Sequence, residues 1–254
     1  MNIDFDGKVA LVTGGGSGIG RAICLGFAAA GARIACVDIN DVTGEETVAL
    51  IRERGGESMF LRADVTDPDS VRGYVEATVA AFGRIDAFAN NAGYEGAMSS
   101  IVDYPVEVYD RVMAINAKGV FLGLKYVLPV MQKQRSGAVI NTGSTGSHVG
   151  APGVSAYTAS KHAVLGLTRT AALEVAKDGV RVNAICPGGT RTRMLEALTQ
   201  GRGEVEELAF NLGTPNGRIA TPEEIAAMVV FLASDHARHM IGQFLIVDGG
   251  RLAM

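Results

Sequence analysis

Short apolar runs alternate with longer amphipathic segments along almost the whole chain. The apolar runs are rich in β-branched residues and apolar on both faces, which is typical of strands buried in a parallel sheet. These candidate strands cover residues 8–13, 33–39, 57–63, 84–90, 137–143, 180–185 and 243–249. The segments between them predict helices at 18–30, 41–54, 68–82, 106–134, 155–177 and 222–234.

This alternation predicts an α/β fold, a single-domain Rossmann-type doubly wound parallel sheet of about seven strands with helices on both faces. No linker, repeat or low-complexity segment divides residues 1–254, so we expect one domain. The stretch 189–215 mixes Gly, charged and apolar residues just after a predicted strand. Long insertions there often cover ligands, so we predict a substrate-covering lid, with a solvated pair of surface helices as the alternative.

Composition and charge narrow the range of partners. Of 254 residues, 48% are hydrophobic, which is enough for a large core. The net charge is −4 without a basic block, so we expect neither nucleic acid nor an anionic membrane as a partner. No uncharged apolar stretch approaches the ~18 residues of a membrane span, and MNIDFDGK has no apolar signal region. Three widely spaced cysteines suit a reducing compartment, so we expect a cytoplasmic protein.

A glycine-rich loop, TGGGSGIG (13–20), joins the first predicted strand to the first predicted helix. Such a loop lets backbone N–H groups at a helix N-terminus approach a pyrophosphate. It has neither the spacing of G-x-G-x-x-G nor the Lys-Ser/Thr of a P-loop, and similar turns occur without any ligand. Gly14, Gly18 and Gly20 fall in the frame T-G-x-x-x-G-x-G. As a dinucleotide site the loop would use these three glycines together with Gly16, Ser17 and Ile19.

Asp38 ends the second predicted strand, 18 positions after Gly20. A carboxylate at this point can accept a hydrogen bond from the adenosine ribose 2′-hydroxyl and would repel a 2′-phosphate. Positions 39 and 40 hold no Arg or Lys that could bind such a phosphate. The sequence therefore predicts NAD rather than NADP as cofactor.

Together these motifs resemble the classical short-chain dehydrogenase/reductase family over nearly the full length, from Gly7 to Gly250. The resemblance includes seven further features in the order of the family. They are Asp64-Val65, NNAG (90–93), Asn116, Ser144, Tyr157-x-x-x-Lys161, PG-x-x-x-T (187–192) and IGQFLIVDGG (241–250).

The resemblance implies roles for the residues at the carboxyl ends of the later strands. Asp64 and Val65 would bind the adenine, and Asn90, Ala92 and Gly93 would line the adenosine side of the cleft. The nicotinamide amide would be held by Pro187, Gly188, Thr190 and Thr192. Position 190 is usually Val or Ile in the family, so Thr190 is a mild departure. Ser144 would hydrogen-bond the reacting oxygen, and Asn116 would hold a water that links Lys161 to solvent.

Tyr157 and Lys161 are the candidates for acid–base chemistry. Residues at i and i+4 share a helix face, so the lysine can lie beside the phenol. Because a nearby cation stabilises a phenolate, we expect the pKa of Tyr157 to be lowered toward neutral pH. The predicted reaction is hydride transfer between nicotinamide C4 and a carbonyl carbon, with Tyr157 exchanging the proton on the oxygen. Lys161 is also expected to bind the nicotinamide ribose.

Residues after the same strand ends are candidates for the substrate pocket. Ser144, Tyr94, Glu95, His148, Met194 and Leu195 form this set. Apolar groups predominate, which favours a small-to-medium apolar secondary alcohol or ketone, cyclic ones included. His148 has a surface loop position as its alternative. The four histidines form no metal constellation, so no metal is expected.

Two alternatives to an NAD-dependent alcohol dehydrogenase or carbonyl reductase stay open. One is a 3-oxoacyl carrier-protein reductase, which usually takes NADPH, so Asp38 counts against it. The other is a non-catalytic NAD-sensing protein of the same fold, which would not need a proton donor.

Helices 106–134 and 155–177 carry apolar residues on more than one face. The resembled family is typically tetrameric through these helices, so a homotetramer is expected.

Overall fold

A computed structural model describes residues 3–199 and 213–253 of the chain. Its centre is a seven-stranded sheet in the order β3-β2-β1-β4-β5-β6-β7, with every pairing parallel. The strands are β1 (Val9–Thr13), β2 (Arg33–Asp38), β3 (Ser58–Arg62), β4 (Ala87–Asn90), β5 (Gly137–Thr142), β6 (Val180–Pro187) and β7 (Phe244–Val247). The predicted doubly wound α/β sheet is confirmed.

Eight α-helices are described, all of them between consecutive strands. They are α1 (Gly18–Ala29), α2 (Asp41–Glu53), α3 (Pro68–Phe82), α4 (Val106–Met113), α5 (Gly119–Gln134), α6 (Ser155–Val175), α7 (Arg193–Thr199) and α8 (Pro222–Ala233). Prolines begin α3 and α8, where their missing N–H needs no partner, and Asp67 and Thr221 cap these helices.

Two hydrophobic clusters cover the two faces of the sheet. Helices α3, α5 and α6 contribute residues such as Val75, Val127 and Val164 to one cluster. Helices α1, α2 and α8 contribute Phe27, Ile51 and Val229 to the other. Successive side chains of a strand point to opposite faces, so strands that are apolar throughout fit a sheet covered on both sides. The three cysteines are buried and unpaired.

The predicted helix 106–134 is continuous but not uniform. A π-helix, Ala114–Lys118, separates α4 from α5. Within the described residues, 106–134 is the one helical run long and apolar enough to cross a membrane, and 56% of its apolar window is buried in the fold. Because core helices pass the same test, this run is weak evidence for a membrane span.

The chain crosses from β3, at one edge, back to β4 on the other side of β1. Connections therefore leave β1 and β4 in opposite directions and open a crevice at their carboxyl ends, where ligands bind in doubly wound sheets. In the predicted lid, 189–215, residues 200–212 lie outside the described part of the chain, and the lid stays a prediction.

Candidate active site

The crevice is a cavity of about 710 Å³ above the carboxyl ends of the central strands. The glycine-rich loop forms one wall, and Gly14, Ser17, Gly18, Ile19 and Gly20 all line it. A Cβ at Gly20 would overlap the carbonyl oxygen of Gly14, so the loop closes on itself only with glycine at that position. The backbone is therefore exposed at the N-terminus of α1, as a pyrophosphate would require.

Asp38 lies beside this loop at the end of β2 and lines the cavity. Its Oδ2 accepts a hydrogen bond from the Gly16 N–H at 2.8 Å, and its Oδ1 accepts one from the Asn40 N–H at 3.0 Å. Gly16 does not line the cavity itself. A Cβ there would lie 2.5 Å from Thr43 Oγ1 and 2.8 Å from Asp38 Oδ2. Gly16 thus keeps the carboxylate against the loop.

Residues after β3 and β4 continue the same wall. Asp64, Val65, Ala92 and Gly93 line the cavity as expected. Asn90 does not, which corrects the expectation for this residue. Its Nδ2 donates to Val120 O at 3.0 Å and to Asn141 Oδ1 at 3.2 Å, so the side chain lies in the core between the sheet and α5. The alternation of side chains along β4 directs it there.

The segment after β6 forms the opposite wall. Pro187, Gly188, Thr190 and Thr192 line the cavity. The Thr190 hydroxyl donates to Gly188 O at 3.2 Å, so this unusual residue satisfies its polar group within the segment. Thr192 approaches the glycine loop, since a Cβ on Gly18 would lie 3.1 Å from Thr192 Cγ2. The two walls nearly meet at this point.

Ser144, Tyr157 and Lys161 all line the same cavity. Lys161 is buried, and its Nζ donates to Thr142 O at 2.7 Å. The Nζ atom lies 5.6 Å from the centroid of the Tyr157 ring. Ser144 caps a short 3₁₀ helix, Thr145–Ser147, and its Oγ accepts from the Gly146 N–H at 3.1 Å. A phenol, an ammonium and a hydroxyl therefore converge at one end of the crevice.

Burial changes the pKa values of Lys161 and Tyr157. Desolvation lowers the pKa of Lys161 to about 8. Desolvation also raises the pKa of Tyr157, with a hydrogen bond to Ser144 acting in the opposite direction and the charge of Glu95 adding to the rise. The lowered pKa expected for Tyr157 is therefore wrong for the protein alone, because burial of the phenol outweighs the Ser144 bond.

Asn116 lies in the π-helix and is fully buried. Its Oδ1 accepts from the Tyr94 N–H, while its Nδ2 donates to Tyr94 O and, at 3.0 Å, to Ser160 Oγ. Ser160 Oγ in turn donates to Tyr157 O at 2.7 Å. The Asn116 amide thus joins the segment after β4 to α6, and its predicted role in holding a water stays a prediction.

The substrate candidates divide into two groups. Tyr94, Met194 and Leu195 line the cavity, together with Met98 and Val154. Glu95 does not line it, contrary to expectation, and His148 does not line it either but has the surface loop position given as its alternative. His148 is exposed, and its ring packs edge-to-face against Phe244 at 6.1 Å between centroids. Glu95 affects the site through its charge, which raises the pKa of Tyr157.

Several residues of the site were missed by the sequence interpretation. The Thr13 hydroxyl accepts from the N–H groups of Asn91 and Ala92 at 2.9 and 3.1 Å and fixes the loop after β4. Arg111 lines the cavity and lies over the Tyr94 ring, 4.8 Å from its centroid. Their positions depend on how β1, β4 and α4 pack, which spacing in the sequence does not show. Across 3–199 and 213–253, no three His, Cys, Asp or Glu side chains are grouped for a metal ion.

Comparisons with known proteins agree with this geometry. Residues 14–251 match the model of the family described as Enoyl-(Acyl carrier protein) reductase. Levodione reductase of Leifsonia aquatica is 42% identical, over 98% of this chain and 96% of the relative. A crystal structure of levodione reductase superposes with a TM-score of 0.94, covering 98% of this chain and 99% of that one.

Two further relatives are similar over comparable lengths. 2,5-Dichloro-2,5-cyclohexadiene-1,4-diol dehydrogenase of Sphingobium indicum is 40% identical, over 99% of both chains. A structure of NAD⁺-bound xylitol dehydrogenase is 39% identical with a TM-score of 0.92, covering 97% of this chain and 99% of that one. The glycine loop and the facing segment 187–192 fit a nicotinamide dinucleotide, which is the cofactor of this fold. The chain belongs to the short-chain dehydrogenase/reductase family.

Proposed function

We propose that the protein is an NAD(H)-dependent oxidoreductase that interconverts a secondary alcohol and a ketone, with Tyr157 as general acid and base. The observation that supports this most strongly is the convergence of Tyr157, Lys161 and Ser144 in the cavity that Asp38 and the glycine loop also line. A dinucleotide over the loop and a substrate near the phenol would share one crevice.

The bound nicotinamide would supply or accept the hydride at its C4 atom. In ketone reduction, the Tyr157 hydroxyl gives its proton to the substrate oxygen, and in alcohol oxidation it takes that proton back. The Ser144 hydroxyl donates a hydrogen bond to the same oxygen, where negative charge develops. The Lys161 ammonium, fixed by Thr142 O, stabilises the phenolate that remains.

Asp38 supports NAD over NADP. Its carboxylate is fixed by the N–H groups of Gly16 and Asn40 at the edge of the cavity. It could accept from the adenosine ribose 2′-hydroxyl, and its charge would repel a 2′-phosphate. This preference also argues against the 3-oxoacyl carrier-protein reductase alternative, in which NADPH is usual.

The pocket walls support an apolar, cyclic substrate. Met98, Val149, Val154, Met194 and Leu195 line the cavity. A relative at 40% identity is named for a cyclohexadiene diol. We propose small-to-medium apolar secondary alcohols and ketones, with six-membered rings among them.

The test is turnover of a panel of secondary alcohols and ketones, followed by NADH absorbance. Tyr157→Phe removes the proton donor, so we expect kcat to fall by about 10³-fold while NAD still binds. Tyr109→Phe, on the exposed side of α4, is the matched control. Near-normal turnover in Tyr157→Phe would contradict the mechanism. Absence of turnover with every compound would favour the NAD-sensing alternative.

We also propose a cytoplasmic homotetramer formed through α5 and α6. Phe121 on α5 is 46% exposed and Leu173 on α6 is 79% exposed, which leaves apolar area uncovered in the single chain. Light scattering of the purified protein tests this assembly. A monomeric mass at micromolar concentration would contradict it.

A further inference from the structure

Thr158, the residue after Tyr157, has a side-chain hydroxyl without a hydrogen-bond partner. Its Oγ1 is buried and lacks a hydrogen-bond partner, and no other buried side-chain nitrogen or oxygen in the described residues is in that position. An unsatisfied buried hydroxyl destabilises a protein, because the hydration it loses is not replaced by a hydrogen bond. Such groups are rare in native structures and call for an explanation.

Other helical threonines of this chain show what a structural threonine does. Thr78, Thr47 and Thr168 each donate from Oγ1 to the carbonyl oxygen four residues earlier, at 2.7, 3.0 and 2.8 Å. The corresponding carbonyl for Thr158 is that of Val154, just before α6, and it is close to Thr158 because the Thr158 N–H donates to it. Its Oγ1 nevertheless makes no bond to it. The usual local explanation for a helical threonine therefore fails at this position.

The location of Thr158 indicates what its hydroxyl could bind. The residue is partly exposed and lines the cavity, although its Oγ1 is not accessible. Rotation about χ1 moves the hydroxyl among the staggered positions on Cβ, and threonine in a helix uses two of them. Because Oγ1 makes no hydrogen bond in its present position, turning it toward the cavity breaks none.

We propose that the Thr158 hydroxyl binds a second oxygen of the substrate, so that the substrate class is a diketone, hydroxyketone or diol rather than a simple ketone or alcohol. This inference rests on the proposed function. Tyr157 and Ser144 bind the reacting oxygen, and Thr158 binds another oxygen of the same molecule. A hydroxyl both donates and accepts, so it suits either oxidation state of that group.

The surroundings favour substrate over cofactor as the partner. Val149, Ala151, Pro152 and Val154, which precede Tyr157, line the cavity at the catalytic end. The walls suited to the dinucleotide come instead from the ends of β1, β2, β3, β4 and β6 and the loops that follow them. In an apolar pocket, one unpaired hydroxyl selects strongly for a ligand that satisfies it.

The experiment compares cyclohexanone with cyclohexane-1,4-dione in the wild type, Thr158→Val and Thr158→Ser. Valine keeps the shape and removes the hydroxyl, whereas serine keeps the hydroxyl. We expect the ratio of kcat/KM for the dione to that for cyclohexanone to fall about threefold to tenfold in Thr158→Val. Thr158→Ser should retain most of the wild-type ratio. An unchanged ratio in Thr158→Val, or a changed KM for NAD, would overturn the proposal.

Thermal unfolding without substrate supplies a second, independent measurement. Replacing an unpaired buried hydroxyl by a methyl group should raise Tm by about 2–4 °C in Thr158→Val. Thr168→Val on the same helix is the control, and it should lower Tm because Thr168 Oγ1 also accepts from Asn141 Nδ2 at 2.9 Å. A lower Tm in Thr158→Val would show that the hydroxyl has a partner within the protein, which would overturn the proposal. If the wild type turned over neither cyclohexanone nor cyclohexane-1,4-dione, that result would instead contradict the proposed function.

Discussion

The two sides of the crevice are built in opposite ways. On the glycine-loop side, side chains are absent where the backbone must come close, as at Gly20 against Gly14 O. On the catalytic side, buried polar side chains define the geometry, with Asn116, Ser160 and Lys161 all bonded within the protein. One side presents backbone N–H groups beside the Asp38 carboxylate, and the other presents the Tyr157 phenol and the Lys161 ammonium.

This difference shows which changes each side can tolerate. On the glycine-loop side, an added side-chain atom disrupts the structure, because the neighbouring carbonyl cannot move far. On the catalytic side, removal of a polar atom is destabilising, because its partner is then buried without a hydrogen bond. The acidity of the catalytic side also depends on burial, so pH distinguishes the two sides as well.

The largest expected effect is from Gly20→Ala. The added Cβ would overlap the Gly14 carbonyl, so the loop must open and NAD affinity should fall about 100-fold or more, an effect of ~3 kcal/mol. Isothermal titration with NAD measures it. Gly73→Ala is the control, since nothing lies within 4 Å of a Cβ in that exposed part of α3, and it should stabilise by about 0.5–1 kcal/mol. Normal NAD binding in Gly20→Ala would show that the glycine-loop side tolerates an added side-chain atom, which would contradict the contrast with the catalytic side.

Lys161→Met tests the catalytic side through pH. The pKa of Lys161 falls from 10.5 to about 8 on folding, so the unfolded chain holds its proton more tightly. The free energy of unfolding is lowered by about 3 kcal/mol below pH 8, and this destabilisation disappears as pH rises from 8 to 10.5. Without cofactor, Lys161→Met should therefore be more stable than the wild type at pH 7, up to that amount.

Urea unfolding at pH 7 and pH 10.5 measures this difference. Because the two proteins are compared at each pH, the contributions of other titrating groups to the stability difference cancel. Tyr74, whose pKa is raised by burial, is one such group. A stability difference between Lys161→Met and the wild type that does not change with pH would show that the ammonium is not desolvated.

The smallest of these effects is expected from Asp38→Asn, which keeps the shape of the side chain and removes its charge. Without repulsion of a 2′-phosphate, the ratio of NADP to NAD affinity should rise about tenfold. Competition binding with both dinucleotides measures this ratio. Asp41→Asn, an exposed carboxylate paired with Arg62 at 3.4 Å, should leave it unchanged. An equal ratio in Asp38→Asn and wild type would mean that Asp38 does not select the cofactor.

The sequence predicted the sheet and its helices well because the central strands are apolar on both faces and helices such as α3 and α8 begin with recognisable caps. It missed the π-helix at 114–118, since AINAK contains no glycine or proline that would mark a change within the predicted helix 106–134. Motif positions also located Tyr157, Lys161 and Ser144 on one cavity.

The sequence was less informative about where individual side chains point. Asn90 belongs to a motif at the crevice, yet the pleat of β4 turns its amide into the core. Spacing suggested that Lys161 lowers the pKa of Tyr157, but desolvation is a property of the packed interior. Thr158 has no motif, and only the missing hydrogen bond in the folded chain distinguishes it.

The close approach of Thr192 to Gly18 has a consequence for folding of the whole chain. Contacts for one small molecule come from segments more than 170 positions apart in the sequence, so a dinucleotide between them would tie the first strand to the sixth. Ligands that bind only the native state stabilise it by mass action. Proteolysis of the unfolded chain would then be slower when the cofactor is abundant and faster when it is scarce.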